Sequence, residues 1–151
     1  MLENCESAKE RWGGVSNIID RWLQERQALL VRYCSLTESP DKEPAPEWVQ
    51  EVCQLLVDYV SAGHFEVYDQ LVKEAREFDD EDALKEARTL IRTIDLTTEY
   101  ALDFNDKYLE TDDLSTISAD LSKLGEVLAN RFEAEDRMIE VLHTSHKDLV
   151  T

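Results

Sequence analysis

Glycine and proline are scarce in this chain, with four and three residues among 151. A turn-rich β fold needs both residue types, because they supply the backbone angles of tight turns. Charged residues make up 33% of the chain, which is typical of helices with solvated outer faces. The composition therefore predicts an all-α protein. The length predicts a single domain spanning residues 1–151, with one sizeable core.

Long apolar runs are also missing. No stretch approaches the roughly 20 apolar residues that a membrane-spanning helix requires. The N-terminal stretch MLENCESAKERW is polar and acidic, so it resembles neither a secretory signal nor a transit peptide. We therefore expect a cytoplasmic protein that does not bind membranes.

Cysteine is too infrequent and too irregularly spaced to indicate a disulfide framework or a metal site. The three cysteines, Cys5, Cys34 and Cys53, are an odd number and form no Cys-x-x-Cys motif. They are expected to be reduced thiols in a reducing compartment.

Catalytic and metal-binding motifs are lacking as well. The sequence has no nucleophile elbow, phosphate-binding loop or dinucleotide-binding glycine motif. A di-metal bundle needs Glu-x-x-His on two helices, and this chain has it once, from Glu140 to His143. Its other histidines are His64 and His146, fewer than a hemerythrin-type centre uses. We expect His143 and His146 to meet terminal carbonyls or solvent. The prediction is a non-enzyme without metal or cofactor; the competing hypothesis is a metal- or small-molecule-binding bundle of hemerythrin-like descent.

Positive charge is in short supply. Lys and Arg number 16 against 34 Asp and Glu, so the net charge is −18 at pH 7. Such a surface repels nucleic-acid phosphates and anionic membranes, which argues against direct binding to either. Solubility alone explains much acidic charge. The sharper hypothesis is a basic protein partner, because complementary charge steers association.

What the sequence does contain is helical periodicity. Apolar residues recur at threes and fours over residues 4–36 and 113–143, which indicates helices with one buried face. Shorter repeats predict helices over residues 47–62, 65–78 and 82–109, and Gly63 is expected to end or bend the first of these. The acidic run 79–82 and the stretch 111–113 are each expected to cap the helix that follows. We predict a four-helix up-down bundle with one or two additional short or bent helices and a loop at 37–46.

Polar residues interrupt two of the apolar stripes. Arg131 and Glu135 lie four residues apart on the last stripe, and Arg26 lies on the first. If these side chains are buried together, guanidinium and carboxylate groups form a charge-assisted network that fixes which helices face each other. The alternative is a functional cleft, and the structural interpretation is the favoured one.

The middle segment LVDYVSAGHFEVYDQL differs in kind. Asp58, Ser61 and Gly63 cluster where the helix is expected to be interrupted, and the aromatic residues Tyr59 and Phe65 flank this point. Small residues beside an acid and aromatics leave a depression that can receive a basic or amphipathic helix. Composition alone favours a plain helix–helix joint.

Three phrases carry a family resemblance: WGG-x5-DRWLQER, LVDYVSAGHF-x2-Y and LGEVLANRFEAED. Together they resemble the Rsd/AlgQ family of bacterial anti-sigma factors, collinearly over nearly the whole chain, and the first is closer to the AlgQ branch. The resemblance implies a helical bundle that binds region 4 of the primary sigma factor, RpoD. That basic domain otherwise contacts −35 promoter DNA and core RNA polymerase. Binding would favour alternative sigma factors in stationary phase, and AlgQ-type members are associated with positive control of alginate synthesis. Of the possible oligomeric states, a monomer is favoured.

The resemblance also implies contact residues. Asp58 in the DYVSAGHF phrase is the first candidate to meet a sigma-factor arginine, with Ser61 and Phe65 nearby. Asp20, Trp22 and Arg26 match DRWLQER and are expected to line an adjacent surface. The loop at 37–46 is shorter than in Rsd-type members, so no contact is assigned to it. A second protein partner is a further possibility, to which no residue is assigned.

Overall fold

A computed structural model describes residues 8–38, 44–111 and 113–150. The described chain folds into five α-helices: α1 (Ala8–Thr37), α2 (Pro46–Ala62), α3 (Tyr68–Glu77), α4 (Glu81–Tyr108) and α5 (Ile117–Leu142). A short 3-10 helix, Thr144–Leu149, follows α5. These ranges contain no strand, so the predicted all-α class is confirmed. The predicted start of the first helix, near Asn4, and the middle of the loop at 37–46 lie outside the described residues.

Gly63 does not end the second helical segment; it begins a π-helical turn within it. A π-helical turn, Gly63–Val67, joins α2 directly to α3, so the two helices form one continuous rod. Its hallmark is the Tyr68 N–H donating to the carbonyl of Gly63, five residues back. The described residues therefore contain four long helical segments, α1, α2–α3, α4 and α5.

The acidic run between α3 and α4 caps α4 as predicted. The Asp80 side chain accepts a hydrogen bond of 3.1 Å from the Ala83 N–H. Glu81 and Asp82 occupy the first helical turn, where the positive end of the helix dipole favours them. Asp79 has a φ of 54°, a left-handed conformation that Asp tolerates better than most residues. This residue turns the chain sharply between the two helices.

The last helix begins later than the sequence pattern indicates. Residues 113–116 form a turn, and α5 starts at Ile117. Asp113 accepts a hydrogen bond from the Ser115 N–H, so it closes a local turn as predicted but does not cap α5. Residue 112 of the same predicted stretch lies outside the described residues. Leu114 is nevertheless buried, which explains why it fits the apolar repeat without being helical.

Buried side chains from all five α-helices form one hydrophobic core. α4 packs against α5, α1 against α2, and α2 against α4. Glu86 near the start of α4 pairs with Arg137 near the end of α5, while Lys107 pairs with Asp120 at the opposite ends. α4 and α5 are therefore antiparallel, which supports the up-down order of the bundle; that order as a whole stays a prediction. None of the described helices is long and apolar enough to cross a membrane.

Candidate functional site

The predicted contact residues of the middle segment lie on α2 and the π-helical turn. Asp58 and Phe65 are exposed, and Ser61 is half-buried. The Phe65 side chain is 79% exposed and meets the His64 ring edge-on at 4.8 Å. An aromatic side chain that stands this far out of a helical surface is available to a partner, because aromatic residues supply much of the energy at protein interfaces.

The predicted contact residues of α1 divide between surface and interior. Asp20 is exposed, whereas Trp22 is buried and its indole Nε1 donates to the Tyr59 carbonyl at 3.1 Å. The Trp22 ring also stacks on the Tyr59 ring at a centroid distance of 4.9 Å. Trp22 therefore supports the α1–α2 surface from beneath, and Asp20 is the member of this pair that a partner can reach.

Arg26 reaches from the surface into the core. Its guanidinium donates to Asp136 at 2.6 Å, to the Tyr59 hydroxyl at 3.0 Å and to Glu135 at 3.4 Å. It also lies over the Phe132 ring, 4.5 Å from the centroid. These contacts fix the Arg26 side chain between α1 and α5.

Glu25 of α1 lies near two exposed acids, Asp58 of α2 and Glu66 of the π-helical turn. The pKa of Glu25 is raised by partial burial and by the nearby charges of Asp58 and Glu66. The Gln54 amide donates to Asp58 at 2.9 Å, yet none of the three acids pairs with a cation among the described residues. We call Glu25, Asp58 and Glu66 the acidic triad.

Ion pairs join α1 to α2 and α3 on either side of the acidic triad. Arg11 of α1 pairs with Glu77 of α3 at 2.9 Å, and Arg32 of α1 pairs with Glu51 of α2 at 3.0 Å. The acidic triad lies between these two ion pairs, and its three acids form no ion pair among the described residues. A cationic side chain placed there would gain attraction from several carboxylates. Sequence reasoning missed Glu25 and Glu66, because neither lies on an apolar stripe and nothing local distinguishes them from other surface acids.

A buried polar network lies beneath this surface. Glu135 is its centre: it accepts hydrogen bonds of 2.5 Å from the hydroxyls of Tyr59 and Tyr68, and one of 3.2 Å from Arg131 Nε. Arg131 is 1% exposed and also donates to the Tyr68 hydroxyl at 2.9 Å. The structure thus brings Arg26, Arg131 and Glu135 together.

Arg131 extends the network to the fourth helix. Its Nη1 donates to the hydroxyls of Thr97 and Thr98, at 3.0 and 2.7 Å. Side chains from all five α-helices therefore meet in one set of hydrogen bonds. Burial raises the pKa of Glu135, while Arg131 and the two tyrosine hydroxyls act in the opposite direction. Burial, followed by the Glu135 charge, raises the pKa values of Tyr59 and Tyr68, so both tyrosines stay protonated donors.

A match across the chain identifies the family. Residues 1–143 match the family described as "Regulator of RNA polymerase sigma(70) subunit, Rsd/AlgQ". The chain belongs to the Rsd/AlgQ family. It is 36% identical to "Regulator of sigma D" of Enterobacter sp. (strain 638), over 92% of this chain and 88% of that protein. It is likewise 36% identical to that of Pectobacterium carotovorum, over 95% and 99%, and 33% identical to that of Salmonella arizonae, over 98% and 95%.

The Rsd/AlgQ-like phrases of the sequence converge in space. The first contributes Trp22 and Arg26, the second Tyr59 and Tyr68, and the third Arg131 and Glu135. Most of these side chains are buried, so much of the resemblance resides in the network under the surface. The exposed part of the same phrases contains Asp20, Glu25, Asp58 and Phe65.

A second buried polar cluster joins the end of α5 to α3, and it corrects the prediction for the C-terminal histidines. His143 Nδ1 lies 2.6 Å from Glu74, while His146 lies 3.1 Å from Glu74 and 2.8 Å from Asp80. Both rings are buried, and Trp12 stacks on His143 at 4.2 Å. The expectation that they meet solvent was therefore wrong, whereas the alternative of a terminal carbonyl is met by His146, whose Nδ1 lies 3.0 Å from the Leu142 carbonyl at the end of α5. The chain continues past α5 in a 3-10 helix that folds His146 back onto α3.

Metal and small-molecule binding were the competing hypothesis. Within residues 8–38, 44–111 and 113–150, no group of three or more His, Cys, Asp and Glu side chains is arranged to hold a metal ion. An open groove of about 990 Å³ lies along α4 and α5, bordered by Leu90, Leu96 and Val127 among others. None of the predicted contact residues Asp20, Asp58, Ser61 or Phe65 lines it. Cys34 and Cys53 are free thiols, and Cys5 lies outside the described residues.

Proposed function

We propose that this protein is an anti-sigma factor that sequesters the primary sigma factor, RpoD, by binding its region 4 through the α1–α2 surface. The acidic triad beside the exposed Phe65 carries the proposal. It offers a basic helix-turn-helix domain both a set of unpaired carboxylates and an aromatic anchor. Membership of the Rsd/AlgQ family, together with relatives named "Regulator of sigma D", supports this partner.

The contacts divide into two layers. Asp58 is proposed to meet a sigma-factor arginine, with Glu25 and Glu66 adding attraction and Ser61, Phe65 and Asp20 completing the contact surface. Trp22 and Arg26 contribute indirectly, because their hydrogen bonds to Tyr59 hold α1 and α2 in place. Partner binding would place a guanidinium where like charges now meet, which stabilises the complex more than a contact with an already paired acid.

The proposed mechanism is occlusion. A bundle bound to region 4 covers the surface that this domain uses for −35 promoter DNA and core RNA polymerase, so alternative sigma factors gain access to the polymerase. This requires no catalysis, and the proposal is therefore a non-enzymatic regulator acting in the cytoplasm, where transcription takes place. Control of alginate or other stationary-phase genes is the corresponding physiological role.

Calorimetric titration with isolated region 4 tests the contact assignment. Asp58→Asn removes one charge and is expected to lower affinity about tenfold, equivalent to about 1.4 kcal/mol. Asp58→Arg should lower it further, since it repels the basic domain. Glu99→Gln is the matched control, because Glu99 is an exposed acid of α4 and its substitution removes the same charge.

Two results would count against the assignment. Equal losses for Asp58→Asn and Glu99→Gln would mean that net charge alone drives binding. The absence of binding by the folded wild-type protein at low salt, where charge attraction is strongest, would remove the proposed function itself.

A further inference from the structure

The π-helical turn that carries Phe65 needs an explanation. An isolated π turn is less favourable than continued α-helix, and such turns occur mostly at functional sites. Nothing in the local sequence compels one here, because Gly63 has ordinary right-handed helical angles. The cause must therefore lie in tertiary contacts that the turn makes possible.

Those contacts belong to the buried network. Tyr68 follows the turn immediately, and its hydroxyl donates to Glu135 at 2.5 Å and accepts from Arg131 at 2.9 Å. Each residue advances an α-helix by about 100°, so loss of the extra residue would rotate the Tyr68 side chain away from both partners. The network in this form therefore requires the turn.

Gly63 fits the turn closely against the same groups. A Cβ atom at this position would lie 3.0 Å from the Tyr68 hydroxyl and 3.1 Å from Cζ2 of Trp22. Trp22 is itself held by its hydrogen bond to the Tyr59 carbonyl. The inner side of the turn therefore rests on rings that are fixed by hydrogen bonds, while His64, Phe65 and Glu66 face outward.

We propose that the Arg131–Glu135–Tyr68 part of the buried network holds the π-helical turn in register and thereby positions Phe65 and Glu66 for the partner. Tyr68 is then a positioning residue: it touches no partner, yet it determines where Phe65 stands. This inference rests on the proposed function for the identity of the partner. Its first half, that the network holds the turn, is independent of any partner.

Hydrogen exchange tests the first half. Tyr68→Phe keeps the ring and removes the hydroxyl that bonds to Glu135 and Arg131. Backbone amides of residues 63–68 are expected to exchange about tenfold faster, with little change along α4. Tyr108→Phe is the matched control, since it also removes a buried tyrosine hydroxyl, one that bonds to Asp120 and Thr116 near the start of α5. Unchanged exchange across residues 63–68 in Tyr68→Phe would overturn the inference.

A double-mutant cycle tests the second half. In the wild-type background, Phe65→Ala is expected to lower affinity for region 4 about tenfold or more. In the Tyr68→Phe background the same substitution should cost only about threefold, because Phe65 is already displaced. Equal fold-losses in both backgrounds would show that Tyr68 acts on overall stability alone and would refute the positioning role.

The two arms separate this inference from the proposed function. If wild-type protein does not bind region 4, the proposed function and the positioning of Phe65 both fail, and the exchange experiment still decides whether the network holds the turn. If wild-type protein binds and Phe65→Ala weakens binding, equal losses in the cycle contradict the positioning role alone.

Discussion

Removing both members of the buried Arg131–Glu135 pair should destabilise the protein much less than the sum of the two single removals. Arg131 and Glu135 are each 1% exposed, so neither charge reaches water when its partner is lost. Glu135→Leu leaves the Arg131 guanidinium buried without its carboxylate, and it deprives the hydroxyls of Tyr59 and Tyr68 of their acceptor. Breaking a buried pair in this way typically costs about 3–5 kcal/mol.

The double variant Arg131→Met/Glu135→Leu removes both charges and fills similar volume. The double variant then loses stability mainly because the Tyr59 and Tyr68 hydroxyls have no charged acceptor. Each hydroxyl that finds no other partner lowers the free energy of unfolding by about 1–3 kcal/mol. The sum of the two single-substitution losses should therefore exceed the loss in the double variant by well over the roughly 0.5 kcal/mol within which independent sites add. Urea denaturation followed by circular dichroism measures all three free energies of unfolding.

An exposed pair provides the comparison. Arg137 and Glu86 form a hydrogen-bonded ion pair at the surface, at 3.0 Å, and the same treatment there should change stability much less. Single-variant losses that simply add in the double would refute the claim that Arg131, Glu135 and the tyrosines act as one unit. So would a loss at Arg131–Glu135 no larger than that at Arg137–Glu86.

Two further predictions concern the titratable groups. Burial acts to lower the pKa of His146, but its hydrogen bonds to Asp80 and Glu74 outweigh burial and raise the pKa. These contacts stabilise the folded protein fully below about pH 6.5, and this stabilisation is lost as the pH rises through the folded-state pKa. Urea midpoints should therefore fall above that pH, and a His146→Gln variant that keeps the same slope would contradict this account. Glu25→Gln should leave the urea midpoint unchanged or slightly higher, because it relieves repulsion from Asp58 and Glu66. The same substitution should lower affinity for region 4 severalfold, and undiminished affinity would exclude Glu25 from the contact surface.

The sequence is sufficient to predict the helices and the charged residues in the core. Threes-and-fours spacing places the helices, and charged residues at core positions single out Arg26, Arg131 and Glu135 for attention. The Tyr68 hydroxyl was not predicted as a partner, because the π-helical turn changes the direction of the side chains that follow Gly63, and apolar periodicity does not reveal such a turn. The Tyr59 hydroxyl was not predicted either, because an apolar stripe places the ring in the core without showing which group its hydroxyl meets.

Other features depend on contacts between distant segments. Glu25 is separated in sequence from Asp58 and Glu66, and they become neighbours only when α1 packs against α2. His143 and His146 follow the last periodic residue, so the sequence predicts an exposed helix end; the 3-10 helix instead places His146 against Glu74, which is 72 residues earlier in the chain. Tertiary packing brings together both the acidic triad and the histidine cluster, so local sequence patterns cannot predict either one.

An amide NMR titration of the labelled protein with unlabelled region 4 locates the surface that binds the sigma factor. The largest shift changes are expected at Glu25, Asp58, Phe65 and Glu66 on the α1–α2 surface, and they should weaken as salt is added. Smaller changes should follow at Tyr68, which connects that surface to the buried network. Changes confined to the outer faces of α4 and α5, with the α1–α2 surface unaffected, would show that region 4 binds elsewhere.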